Sequence, residues 1–190
     1  MGYVQLLLIN KPTNKMSNKN GIEWAYNELT ISVIKDDKKT IDELAELSID
    51  LEDESDNSAL TFYNHCPIPT ILLDNYDNYD NISIDENIKH SGYENIYQFT
   101  LHKWGCLYDA KNVVSSQIDN LNLYYEFQTR SKPPISWIKE ISSLYPNLMF
   151  ELHTNNEFEL WEEHEVVYID GHEVIFEYLK KQKNEKPKQA

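Results

Sequence analysis

Leu121, Leu123, Tyr125 and Phe127 recur at every second residue. Period two is the mark of a strand that buries one face and leaves the other open. Leu29, Ile31 and Val33 repeat it, with Thr30 and Ser32 turned the other way, and Leu148, Phe150 and Leu152 repeat it again. One-sided strands need a covering layer, and two segments of helical period supply it. Thr40-Ile41-Asp42-Glu43 reads as a capping box with Thr40 as the N-cap. It opens a helix over about 41–51 with Ile41, Leu44, Ala45, Leu47 and Leu51 on its apolar face. Pro133 and Pro134 open a second helix, where missing amides cost nothing. Its apolar face is Trp137, Ile138, Ile141, Leu144 and Tyr145, and Pro146-Asn147 ends it.

The remaining segments fill in the order. Leu60 to Tyr63 reads as a short strand ended by Pro67 and Pro69. Asp74-Asn75-Tyr76-Asp77-Asn78-Tyr79-Asp80-Asn81 is close to a three-residue repeat of turn formers. It predicts an irregular acidic surface insertion over about 74–92. A strand is expected at 95–101, with Tyr97, Phe99 and Leu101 on one face. Trp104-Gly105 marks a turn, and Asp109 is placed to cap a short helix through about Gln117. Phe158–Trp161, Val166–Ile169 and Val174–Tyr178 read as a closing meander, with Asp170-Gly171 as a two-residue hairpin. The sum is β-α-β-β-α-β with additions: an α+β, ferredoxin-like sandwich with an acidic insertion and extra C-terminal strands. Residues 1–22 are expected to be a flexible leader, with Met16 as an alternative start, 23–178 one domain, and 179–190 a basic tail.

Four segments also resemble one family. Trp24-Ala25-Tyr26-Asn27-Glu28-Leu29-Thr30-Ile31 resembles a W-C-Y-N-x-L-T-I opening. Leu60-Thr61-Phe62-Tyr63-Asn64 with Cys66-Pro67-Ile68-Pro69 resembles S-F-x-K-I-I-P-M-P. Trp104-Gly105-Cys106-Leu107-Tyr108-Asp109-Ala110 resembles W-G-T-K-W-D-A. Phe127-Gln128-Thr129 with Pro133-Pro134 resembles F-x-T-x-W-x-P-P, and Tyr145-Pro146-Asn147-Leu148 resembles F-P-D-L. In this order, across 24–170, they resemble the YubB-type ferredoxin-like family. That resemblance implies the ferredoxin-like fold and a phage, plasmid or bacterial setting, and it implies no established activity. Ala25, Tyr108 and Ser131 depart from the family pattern.

Charge limits the partners. The 190 residues hold 17 Lys+Arg against 32 Asp+Glu, a net charge of -15. Such a chain is not built to grip a nucleic-acid backbone or an anionic membrane. Arg130 is the sole arginine, so bidentate anion clamps are scarce. Cys66 and Cys106 fit neither a zinc site nor a disulfide scaffold, and no signal-peptide layout is present, so a cytoplasmic protein is expected. Five glycines and no phosphate loop argue against a nucleotide enzyme.

Catalytic and metal sets are thin. Cys106 with His102 is the best nucleophile–base pair, without a third member. His153, His164 and His172 read as surface groups, because no pair has the helical spacing or the strand alternation with acids of a metal site. The Asp-Asn-Tyr repeat lacks the glycine and spacing of a calcium loop. No metal and no cofactor is expected. Trp104, Gly105, Asp109, Thr129 and Arg130 allow two readings. One is a small pocket for a ligand such as a nucleotide signal; the other is a packed turn with its caps.

The acids are clustered. Residues 36–56 hold 10 acids against 2 lysines. Asp77 and Asp80 interleave with Tyr76 and Tyr79, and Glu162 and Glu163 flank Trp161. Acid with exposed aromatic groups fits a basic protein partner, because aromatics anchor and charge steers. The expectation is a non-enzymatic, host-defence-inhibiting accessory protein of a mobile element, with Tyr76, Asp77, Tyr79, Asp80, Trp161, Glu162 and Glu163 as its contact residues. A homodimer through the closing strands is the plainer alternative.

Overall fold

A computed structural model describes residues 24–52, 59–76, 81–156 and 164–174. β1 (Trp24–Val33) lies at the centre of a six-stranded sheet. It pairs antiparallel with β3 (Asn122–Arg130) on one side and β4 (Leu148–Asn156) on the other. β2 (Lys111–Asp119) pairs with β3, β5 (His164–Ile169) pairs with β4, and β6 (His172–Glu173) pairs with β5. The order β2-β3-β1-β4 is the ferredoxin-like order, and β5-β6 extend it by two strands. The α+β ferredoxin-like sandwich expected from the sequence is the fold observed.

α1 (Lys38–Asp50) follows β1, and α5 (Ile135–Leu144) joins β3 to β4. Helices and apolar strand faces share one core, in which Leu29, Ile31, Phe62, Trp137, Ile138, Ile141 and Phe150 are almost wholly buried. Phe62 sits at its centre, with ring centroids 4.7 Å from Trp137, 5.8 Å from Trp104 and 6.0 Å from Phe127. Asp170 and Gly171 both have positive φ, 50° and 70°, so the expected hairpin turn is present.

Several local expectations are corrected. The cap of α1 is Asp37, which accepts from the Thr40 amide and hydroxyl, both at 3.0 Å. Glu43 is spent on the Asn147 amide group instead. The stretch 95–101 is not a strand. It belongs to α4 (Ile96–Lys103), because Asn95 accepts from the Gln98 amide while the Gln98 side chain accepts from the Glu94 amide. That reciprocal capping outweighs a chance alternation of aromatics.

The 74–92 insertion is not irregular in its described parts. α2 (Thr70–Asp74) and α3 (Asn81–Ser91) form there. Buried Asn87 accepts from the Asn75 side chain and donates to the Glu94 carbonyl, so asparagine serves as internal glue rather than as a turn former. Leu60–Tyr63 is not a strand but irregular chain leading into a turn at 63–65, and residues 111–119 are a strand rather than a helix. Leu144 is exposed instead of facing the core. Phe158–Trp161 and 175–178 lie outside the described residues.

Gly105 holds a junction between the 104–105 turn and the start of α5. Its φ is +89°, and a Cβ there would lie 3.2 Å from Ile135 N, Pro133 O and Ser136 N. The same turn receives the Trp137 amide on the Trp104 carbonyl. Gly105→Ala is therefore expected to cost about 1–3 kcal/mol, read as a lower urea midpoint with an unchanged slope.

Candidate protein-binding face

Strand alternation puts Ala25, Asn27, Leu29 and Ile31 of β1 under the helices and Tyr26, Glu28 and Thr30 on the opposite side. That opposite side is exposed at Tyr26 and Glu28, while Val167, across from Glu151, is buried. Register then gathers charge on it. Glu28 stands across from Glu126 on β3 and from His153 on β4, and His153 stands across from Glu165 on β5. Glu151, one row along, is opposite Thr30 and Val167. Glu28, Glu126, Glu151 and Glu165 thus share one face with His153, and by the same alternation Arg130 and His172 stand on it further out.

Placing two carboxylates directly opposite one another, as at Glu28 and Glu126, is unfavourable in an antiparallel pair. Tyr124 eases it by donating its phenol to Glu126 at 3.0 Å. Burial, that hydrogen bond and the neighbouring Glu28 charge all push the Tyr124 phenol up, so it stays a donor. His153 Nε2 lies 3.0 Å from Glu165 Oε1. The face can attract cations and can accept hydrogen bonds from them.

The sequence-predicted residues scatter. Trp104 is buried, and its indole donates to the Cys66 carbonyl at 2.9 Å. Thr129 is fully buried, accepts from Asn27 Nδ2 and donates to the Lys132 carbonyl. Asp109 caps no helix. It accepts from Thr61 Oγ1, Phe62 N, Tyr63 N and Ala110 N, holding the 61–63 segment. These three have their polar atoms in internal bonds.

Arg130 goes elsewhere. Its guanidinium donates to Tyr108 Oη at 3.3 Å and lies 5.1 Å from that ring's centroid. Tyr108 meets Tyr97 edge-on, and Tyr97 Oη is 3.0 Å from Tyr76 Oη. So Tyr76 and Arg130, assigned to different sites from sequence, end one run of surface tyrosines. Hydrogen bonding to Tyr76 pushes the Tyr97 phenol up, and bonding to Tyr97 pushes Tyr108 up. Asp77, Tyr79, Asp80, Trp161, Glu162 and Glu163 lie outside the described residues.

Cys106 is buried and donates to the Tyr108 carbonyl, while His102 bonds to Tyr93 instead. Burial pushes both thiols, Cys66 and Cys106, up and away from nucleophilic character. An open cleft of about 520 Å³ is lined by Ile49, Asp50, Asn64, His65 and Tyr145. Burial lowers the affinity of His65 for a proton, and the Tyr145 hydroxyl donates to Asp50.

Glu28, Glu126 and Glu151 were missed in the sequence because attention went to the buried half of each alternation. The signal was the other half. Glu151 and His153 also alternate on one strand, which corrects the view that no histidine here has acid ligands at strand spacing.

No family model and no curated protein matches the chain. Its backbone is similar to the crystal structure of protein api92 from Yersinia pseudotuberculosis, described under the family model DUF1281. The TM-score is 0.51 at 10% identity, over 80% of this chain and 96% of that one. The likeness is one of fold. It agrees with the strand order above and carries no activity. No described helix is long and apolar enough to cross a membrane.

Proposed function

We propose that this chain is a non-enzymatic binding protein that docks a basic protein. In this reading it is a cytoplasmic accessory factor of a phage or other mobile element. Its partner is a nucleic-acid-handling host enzyme, such as a defence nuclease, which it inhibits. The observation that carries the reading is the sheet face turned away from Leu29 and Ile31, where register sets Glu28, Glu126, Glu151 and Glu165 on neighbouring strands. Carboxylates fixed on neighbouring strands about 4.8 Å apart offer a basic channel a preorganised anionic surface. The tyrosine run ending at Tyr76 supplies exposed aromatic contact. Binding rather than catalysis is supported by the fate of the candidate groups, since Trp104, Asp109, Thr129 and Cys106 all serve internal bonds. The mobile-element setting rests on the family resemblance.

The test is capture from bacterial lysate by the immobilised full chain. A basic protein is expected to be retained at low salt and released as salt rises, because exposed charge pairs are screened. The double variant Glu28→Lys/Glu126→Lys is expected to retain it about tenfold or more weakly. Equal retention by wild type and variant, or retention indifferent to salt, sinks the proposal. Light scattering distinguishes self-association through the sheet edges from partner binding.

A further inference from the structure

We propose that Glu151, His153 and Glu165 form a binding site for a divalent first-row transition-metal ion, with zinc the best fit. One ligand atom from each of the three lies within 4.8 Å of the others. The placement follows from the backbone. Glu151 and His153 are two apart on β4 and so share a face, and Glu165 is the cross-strand neighbour of His153 on β5. Zinc–nitrogen and zinc–oxygen bonds of about 2.0–2.2 Å put the ligand atoms of a tetrahedral site about 3.3 Å apart. His153 Nε2 and Glu165 Oε1 are already 3.0 Å apart. Closing the third distance takes a rotation of the long Glu151 or Glu165 side chain, with no change in the sheet.

Ligand chemistry selects the ion. One imidazole with two carboxylates is a borderline donor set that suits zinc and its first-row neighbours. Calcium and magnesium prefer oxygen alone. On β1, on the side of His153 away from Glu165, Glu28 is the cross-strand neighbour of His153. His153 and Glu165 are partly exposed, with side-chain exposures of 51% and 33%. Three protein ligands on an open face leave a fourth position for water or for a partner's side chain. The site stands whether or not a basic protein docks, since its three ligands belong to this chain.

The experiment uses the untagged full chain, stripped with chelator and titrated with zinc by calorimetry and with cobalt by visible absorption. One ion per chain is expected, with a rise in melting temperature at saturating zinc. His153→Ala and Glu151→Gln are each expected to weaken zinc about tenfold or more, and Asp42→Asn on α1 to leave it unchanged. Non-saturating uptake of several ions, or zinc affinity unaltered by His153→Ala, overturns the proposal. Glu165→Gln, at another exposed position, gives the same reading if His153→Ala lowers the folded fraction.

Discussion

Asp109→Ala is expected to lower the melting temperature by roughly 6–12 °C, the largest single-residue effect predicted for this chain. The carboxylate accepts at 2.7 Å from Thr61 Oγ1, Phe62 N and Ala110 N, and at 3.2 Å from Tyr63 N. Thr61 and Phe62 are buried. Truncation leaves their donors without a partner and without water, which costs about 1–3 kcal/mol for each group. Charged acceptors are also the stronger kind. Some relaxation is available at Tyr63, whose amide also bonds to Thr61 Oγ1 at 3.2 Å. The net expectation is about 3 kcal/mol. This segment carries Phe62 into the centre of the core, so its loosening propagates to Trp104, Phe127 and Trp137.

Asp109→Asn keeps one acceptor oxygen but turns an amide donor toward other donors, so it should fall between wild type and alanine. Thermal unfolding by circular dichroism measures all three. A ligand-binding aspartate in a preformed pocket predicts the reverse, with alanine neutral or stabilising in the absence of ligand. An unchanged melting temperature in Asp109→Ala refutes the structural role assigned here.

The legible parts of this fold were those in which one physical signal acted alone. β3 and β4 show plain alternation, α5 has two prolines before it and an apolar face behind it, and Asp170-Gly171 has turn chemistry that a short loop needs. With β1 and α1 these give β-α-β-α-β, whereas the remaining strand β2 was read as a helix and the strands expected at 60–63 and 95–101 are not strands. The misread parts had two signals in competition. Tyr97, Phe99 and Leu101 alternate, yet Asn95 and Gln98 cap a helix. Asn75 and Asn87 have turn preference, yet bond to each other between two helices. Asp109 looks like an N-cap, but its acceptor capacity is taken by a segment 46–48 residues earlier. Long-range bonds of that kind leave no local pattern. The acidic face was half legible. Each strand shows its outward residues, but whether Glu28 meets Glu126 or slides past it depends on register, which pairing partners set.

Raising the pH from 10 to 12 is expected to remove roughly 2 kcal/mol of stability through Tyr125 alone. Tyr125 is 3% exposed on the helix-covered face of β3. Burial, with the Glu52 carboxylate adding to it, pushes its phenol from an ordinary 10 up to about 12. A raised value means that the folded state favours the neutral phenol. The stabilisation is therefore complete below pH 10, where folded and unfolded chains are both protonated at this residue. It fades as the unfolded phenol ionises first, and is gone once pH has passed the folded value near 12. Urea midpoints at intervals from pH 9 to 12 should fall steeply for wild type and less steeply for Tyr125→Phe. A residual slope remains in the variant, since Tyr145 is also held up to about 12 by burial and by Asp50. Superimposable slopes for the two proteins would refute the assignment. Because Tyr125 lies on the covered face and Glu28 and Glu126 on the other, Tyr125→Phe should flatten the alkaline slope while keeping the basic partner that Glu28→Lys/Glu126→Lys loses. That combination separates a lost docking surface from a damaged fold.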